Sequence, residues 1–270
     1  MKVEGEMLDT IIRGGQVVTP EGVGAFDVGI QGGRIAAVAL PGALEAGARR
    51  TIDATGKIVL PGGIEPHTHI GIPVPETWAG KPDVISQPPE AATRAAAFGG
   101  VTTLLDFSGS FPLSPGETAS VEPIMSQLES RRRAFEGNSY IDFAFHHLLA
   151  GEVPPQVIGE IGEAIQAGVA SFKVLTTFGP ARVPYGHLLD IFQQVSRHGG
   201  IMAVHAEEDD LVTYTRAKFI REGKGQGYNL HLVHSNLSED IAFRKVIRLA
   251  RHAEVGIYFV HTTAKEGVAG

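Results

Sequence analysis

The sequence predicts an α/β fold, with parallel strands alternating with helices behind a small β unit. Two observations predict it. From Lys57 onward, short apolar runs alternate with amphipathic stretches; before Lys57, apolar runs are cut by glycines with no helical period. The absence of a glycine-rich turn after the first of the later runs argues against a dinucleotide-binding open sheet.

Residues 1–57 carry Ile11-Ile12, Gln16-Val17-Val18, Phe26 to Ile30 and Arg34 to Val38, separated by the turn signals Thr19-Pro20-Glu21-Gly22 and Gly32-Gly33. This pattern predicts a small antiparallel β unit. Residues 58–270 hold six expected strands: Ile58 to Ile64, Val101 to Phe107, Ile141 to Leu149, Ala170 to Thr176, Ile201 to His205 and Val255 to His261. Between them, Ala91 to Phe98 is alanine-rich, and Ser238 to His252 repeats apolar residues at helical spacing (Ile241, Phe243, Val246, Ile247, Leu249). Six βα units satisfy a doubly wound sheet, whereas a closed barrel needs eight, so pattern alone leaves both open.

Composition narrows the chemistry. The 270 residues are 43% hydrophobic and 20% charged, enough for a sizeable core. Twenty-three basic against 30 acidic residues give a net charge of −7, which disfavours nucleic acid as a partner. Arg131-Arg132-Arg133 falls on an expected helix and reads as a solvated face. There is no cysteine, so disulfides and thiolate metal sites are excluded and a metal would need imidazole and oxygen donors. No basic leader precedes an apolar stretch, and no apolar run reaches membrane-spanning length. The expectation is a cytoplasmic protein without a membrane partner.

His67-Thr68-His69 closes the first strand run. In extended chain, residues two apart point to the same side, so both imidazoles can reach one cation. Lys173 sits inside the fourth expected strand, His205 ends the fifth and His261 ends the sixth. Any one of these has a bland explanation as a satisfied core residue. Together they place five nitrogen-bearing side chains at strand ends, where parallel α/β folds collect chemistry. A lysine ammonium would repel cations. A buried lysine loses its proton more easily, and the neutral amine can add carbon dioxide to give a carbamate able to bridge two metals. His146 and His147 end the third strand as possible supporting groups, and Asp106 is expected to orient neighbours. His187, His198 and His252 are expected on helix surfaces, and His231 and His234 in a loop.

Pro61 to His69, Arg94 to Thr103, Ser171-Phe172-Lys173-Val174, His205-Ala206-Glu207 and Val260-His261 resemble the dihydropyrimidinase/hydantoinase family of the amidohydrolase superfamily. The resemblance implies a metal-dependent hydrolase with a (β/α)8 TIM barrel. Here the barrel is expected to be incomplete at about six βα units, with residues 1–57 as the N-terminal part of a small β-sandwich and 58–270 as the barrel domain. It implies hydrolysis of the C–N amide bond of a dihydropyrimidine- or hydantoin-like ring. His67 and His69 match the ligands of one metal, Lys173 the carboxylated bridging lysine, and His205 and His261 the ligands of the second. Lys173, His205 and His261 are also the expected catalytic residues. Two divalent cations are implied, zinc or alternatively manganese, along with the family's homotetramer.

Several positions depart from the family pattern. The family's eighth-strand aspartate has no counterpart before Gly270, so the chain is expected to be a fragment of low activity or to be completed by another chain. Phe178, the expected substrate-binding residue, stands where a tyrosine hydroxyl usually steadies the oxyanion, with Tyr185 a candidate substitute. Glu65 and Glu208 stand where aspartate and asparagine are common and are expected to adjust hydrogen bonds around the ligands. Ile70, Gly71 and Ile72 follow the His-x-His pair, where relatives acting on dihydroorotate or allantoin place an arginine; a neutral ring is the better match. The alternative reading is a non-catalytic, dihydropyrimidinase-like scaffold.

Overall fold

In a computed structural model that describes residues 7–44, 47–74, 80–112 and 122–269, local turn chemistry shapes the start of the chain. β1 (Leu8–Thr19) turns back at Pro20-Glu21 onto β2 (Gly22–Gln31), and Gly32-Gly33, at φ 58° and 73°, turn β2 onto β3 (Arg34–Ala39). Both pairings are antiparallel. β4 (Ala48–Asp53) and β5 (Ile58–Val59) then pair parallel to β1, with Leu8 opposite Ala48 and Gln16 opposite Ile58. The result is a mixed five-stranded sheet rather than the antiparallel one expected. Hairpins announce themselves through their turns, whereas a parallel pairing made after an excursion leaves no local signal.

The chain forms two compact units, Met1–Gly63 and Ile64–Gly270. The expected run Ile58 to Ile64 is split accordingly. Ile58 and Val59 join the first sheet, and β6 (Gly63–Thr68) begins only after Pro61, which has no N–H to give a ladder.

β7 (Pro73–Val74) and β8 (Val84–Ile85) form a short antiparallel pair, and the helix Pro89–Phe98 follows. β9 (Val101–Ser108), β10 (Asp142–Leu148), β11 (Ser171–Leu175), β12 (Ile201–His205) and β13 (Gly256–Phe259) then alternate with helices. The principal ones are Ile124–Phe135, Tyr185–Arg197, Asp209–Arg221 and Asn236–Ala253. The strands lie in the order β13-β12-β11-β10-β9-β6. The order follows the chain without reversing, so there is no topological switch point, and the sheet is a parallel six-strand half-barrel rather than a doubly wound sheet.

Strand alternation builds the core. Phe172 and Val174 of β11 and Met202 and Val204 of β12 are fully buried, in one cluster with Leu188, Ile191, Phe192 and Val195 of helix Tyr185–Arg197 and with Ala242, Phe243 and Val246 of helix Asn236–Ala253. Ser235 caps that last helix, its side chain accepting from Ser238 N at 3.4 Å. Among the described residues no helix is long and apolar enough to cross a membrane.

Candidate metal centre

The alternation that sends Phe172 and Val174 outward to the helices sends Lys173 to the inner face of the half-barrel. His67 of β6, Phe107 of β9, His146 of β10 and His205 of β12 reach the same region, and His69 and His261 stand just past the ends of β6 and β13. The imidazoles form a chain: His69 to His67, 5.2 Å between ring centroids; His67 to His261, 5.5 Å; His261 to His205, 4.7 Å. The Phe107 ring stacks on His69 at 4.8 Å, meets His67 edge-on at 4.9 Å, and lies 6.0 Å from Lys173 Nζ. The structure thus brings together His67, His69, Lys173, His205 and His261.

Among the described residues no three His, Asp or Glu side chains converge as a ready-made cation cage. The donors come instead as two histidine pairs with a lysine beside them. Lys173 is 3% exposed, and among the described residues its Nζ has no hydrogen-bond partner. Burial pushes this amine down to about 7. Burial, then the charge of Lys173 and the neighbouring imidazoles, pushes His67 down to about 3. Burial and then His205 and Lys173 bring His261 to about 4, and burial followed by Lys173 and Arg131 lowers His69. All three imidazoles are therefore neutral near pH 7, the form that carries a free lone pair. An unpartnered buried amine beside neutral imidazoles suits a divalent cation with imidazole and oxygen donors.

His205 shows how the rim is braced. Its Nε2 donates to Glu207 Oε1 at 2.6 Å, and its Nδ1 lies 3.2 Å from His261 Nε2. The other oxygen of Glu207 accepts from His234 Nδ1, also at 2.6 Å. Burial acts to raise the Glu207 carboxyl, but the bonds from His205 and His234 hold it down at about 2. Thr176 ties this strand end to β11: its hydroxyl donates to Glu207 O at 2.7 Å and accepts from Glu207 N at 2.9 Å. Two residues on, Phe178 takes φ 73°, a left-handed conformation costly for a bulky side chain. Its ring lies 4.8 Å from His205 and 6.3 Å from His234. His261 is also at positive φ, 37°.

His146 uses both ring nitrogens, Nε2 donating to Pro66 O at 2.9 Å and Nδ1 meeting the Ser171 hydroxyl. It braces the residue before His67 instead of offering a lone pair. His147 is buried with its Nδ1 2.9 Å from Ser108 Oγ. Glu65 accepts from His67 N at 3.0 Å.

Other sequence expectations need correction. Glu208 pairs with Lys245 and not with a histidine, and the Tyr185 ring lies 5.3 Å from Lys245 Nζ. Arg131 is not a solvated residue: it reaches the fully buried Asp106 and the carbonyl of Ile70, which follows His69. Only Arg132 and Arg133 form the exposed face, with Glu129 and Glu136. Of the remaining histidines, His198, His231 and His252 are exposed, and half-buried His187 bonds Val153 O at 3.0 Å. Sequence reading missed Glu207 and His234. The His205-x-Glu207 spacing repeats the i, i+2 geometry of His67-x-His69 and was the available signal for Glu207; His234 had none.

No family model matches the chain. A D-hydantoinase of Streptomyces coelicolor is 34% identical over 264 residues, covering 96% of this chain and 53% of that protein. An allantoinase of Solibacter usitatus is 30% identical over 270 residues, covering 97% and 54%. The crystal structure of a dihydropyrimidinase from Brevibacillus agri superposes with a TM-score of 0.84 at 28% identity, over 96% of this chain and 53% of that one. The chain thus spans about half the length of the relatives it matches.

Proposed function

This chain belongs to the cyclic amidohydrolase family, homologous to about 53% of the length of the D-hydantoinases, and we propose that its rim of histidines with Lys173 is the metal-binding part of a hydrolase that opens the C–N amide bond of a small cyclic amide. The observation that carries the reading is Lys173: a lysine amine buried without a hydrogen-bond partner among the described residues, beside His67, His69 and His261.

In this reading His67 and His69 hold one divalent cation, and His205 Nδ1 with His261 Nε2 holds a second. The neutral amine of Lys173 attacks the carbon of carbon dioxide; an N–C bond forms, one C=O π bond becomes C–O⁻, and the amine proton leaves to solvent. The resulting carbamate would offer anionic oxygen to bound cations and would remove the ammonium that repels them. Bound metal supplies an activated water and polarises the ring carbonyl. Phe107 and Phe178 contribute apolar surface beside the imidazoles. Because Ile70, Gly71 and Ile72 follow the histidine pair without a cationic side chain, the ring is neutral, hydantoin- or dihydropyrimidine-like.

The test is metal analysis of protein prepared with zinc and bicarbonate. We expect about two equivalents of divalent metal per chain, and a carbamate signal from labelled bicarbonate that Lys173→Ala abolishes. A protein that takes up no metal and shows no carbamate would instead fit the scaffold reading, which draws support from Phe178, a ring without a donor.

A further inference from the structure

We propose that His234 is a positioning residue that, through Glu207, fixes the tautomer and orientation of His205. The inference rests on the reading of His205 and His261 as a metal-binding pair.

A neutral imidazole carries its proton on one nitrogen, and a metal needs the other. In His205 the choice is made by Glu207. A carboxylate can only accept, so the 2.6 Å contact at Nε2 places the proton there and leaves Nδ1 bare toward His261. The carboxylate itself must be held, because one free to rotate would set no tautomer. It is held at both ends. Its backbone is locked by the reciprocal Thr176 bonds, and its second oxygen is taken by His234 Nδ1 at 2.6 Å. His234 is itself placed by structure on either side. Its N–H bonds Leu230 O at 3.0 Å, closing the helical turn Leu230–Val233, and Ser235 next to it caps the helix Asn236–Ala253. Val233, buried, anchors the corner. The Phe178 ring lies beside both imidazoles, 4.8 Å from His205 and 6.3 Å from His234. The order is His234, Glu207, His205, each fixed by the one before, and only His205 faces the second histidine.

Two variants of the intact protein test this. His234→Ala removes the donor; His234→Asn keeps an N–H at a similar reach. Nitrogen NMR of the His205 ring, without metal, is the first readout. We expect Nε2–H in the unaltered protein, a mixture of tautomers in His234→Ala, and recovery in His234→Asn. Zinc titration is the second. Loss of the outer hydrogen bond should weaken the second equivalent about 10- to 100-fold, leave the first equivalent unchanged, and be largely reversed in His234→Asn. An unchanged His205 tautomer in His234→Ala overturns the proposal, as does equal weakening of both equivalents or a failure of His234→Asn to restore the second. If the unaltered protein binds no zinc, the metal reading falls, and the NMR readout alone still decides whether His234 positions His205.

Discussion

Nδ1 of His205, at the end of β12, lies 3.2 Å from Nε2 of His261, just past the end of β13. Hydrogen-bonded imidazoles at this distance share a single proton, and a cation would compete with that proton for the same lone pairs. His261→Ala should therefore lower zinc uptake by about one equivalent, while the His67–His69 pair keeps its own. Equilibrium dialysis gives the count; an unaltered count would separate His261 from the metal.

Lys173 should cost the fold stability. Its amine titrates at about 7, against roughly 10.4 in an unfolded chain. Between these values the unfolded state binds the extra proton, so the penalty is absent above about pH 10, grows as pH falls and is complete below about 7. Without metal or bicarbonate, Lys173→Met should be more stable at pH 7 by on the order of 1–3 kcal/mol, with the advantage shrinking toward pH 10. Thermal melts across that range check both sign and trend; a less stable Lys173→Met at pH 7 would mean the amine has a partner.

Asp106 is fully buried and paired with Arg131, whose side chain is 13% exposed. Removing the cation leaves a carboxylate in the core that burial already pushes toward its neutral form. Arg131→Ala should cost about 3–5 kcal/mol in urea unfolding. It should also loosen Ile70, which both side chains hold, and with it His69. A cost below about 0.5 kcal/mol would place Arg131 back among ordinary surface residues.

Phe178→Tyr adds a donor on the ring that covers His205. Under the proposed activity, a hydroxyl reaching the developing oxyanion should raise kcat/KM on a hydantoin by up to about 10²-fold. Unchanged kinetics would show that the oxyanion is steadied by other groups.

The sequence made some of this legible and hid the rest for identifiable reasons. Alternation within β11 and β12 placed Lys173 and His205 opposite Phe172 and Met202, because strand period alone decides the face. The rim was readable because polar residues at the ends of apolar strands are unusual. The Glu207–His234 contact joins residues 27 apart, through a loop whose course local propensity does not set. Arg131 looked like its neighbours Arg132 and Arg133, since only the rotation of the helix against β9 decides which of the three turns inward. The parallel pairing of β4 and β5 with β1 was hidden in the same way.

His146 has a consequence for the shape of the sheet. Its ring starts on β10 and bonds Pro66 on β6, past the intervening β9. In a flat sheet strands two places apart run about 10 Å from one another, so a single side chain bridging them on the concave side acts as a bowstring on the arc. Cutting it with His146→Leu would let the staves relax outward, and the gap between His67 and Lys173 would widen before any ligand was touched.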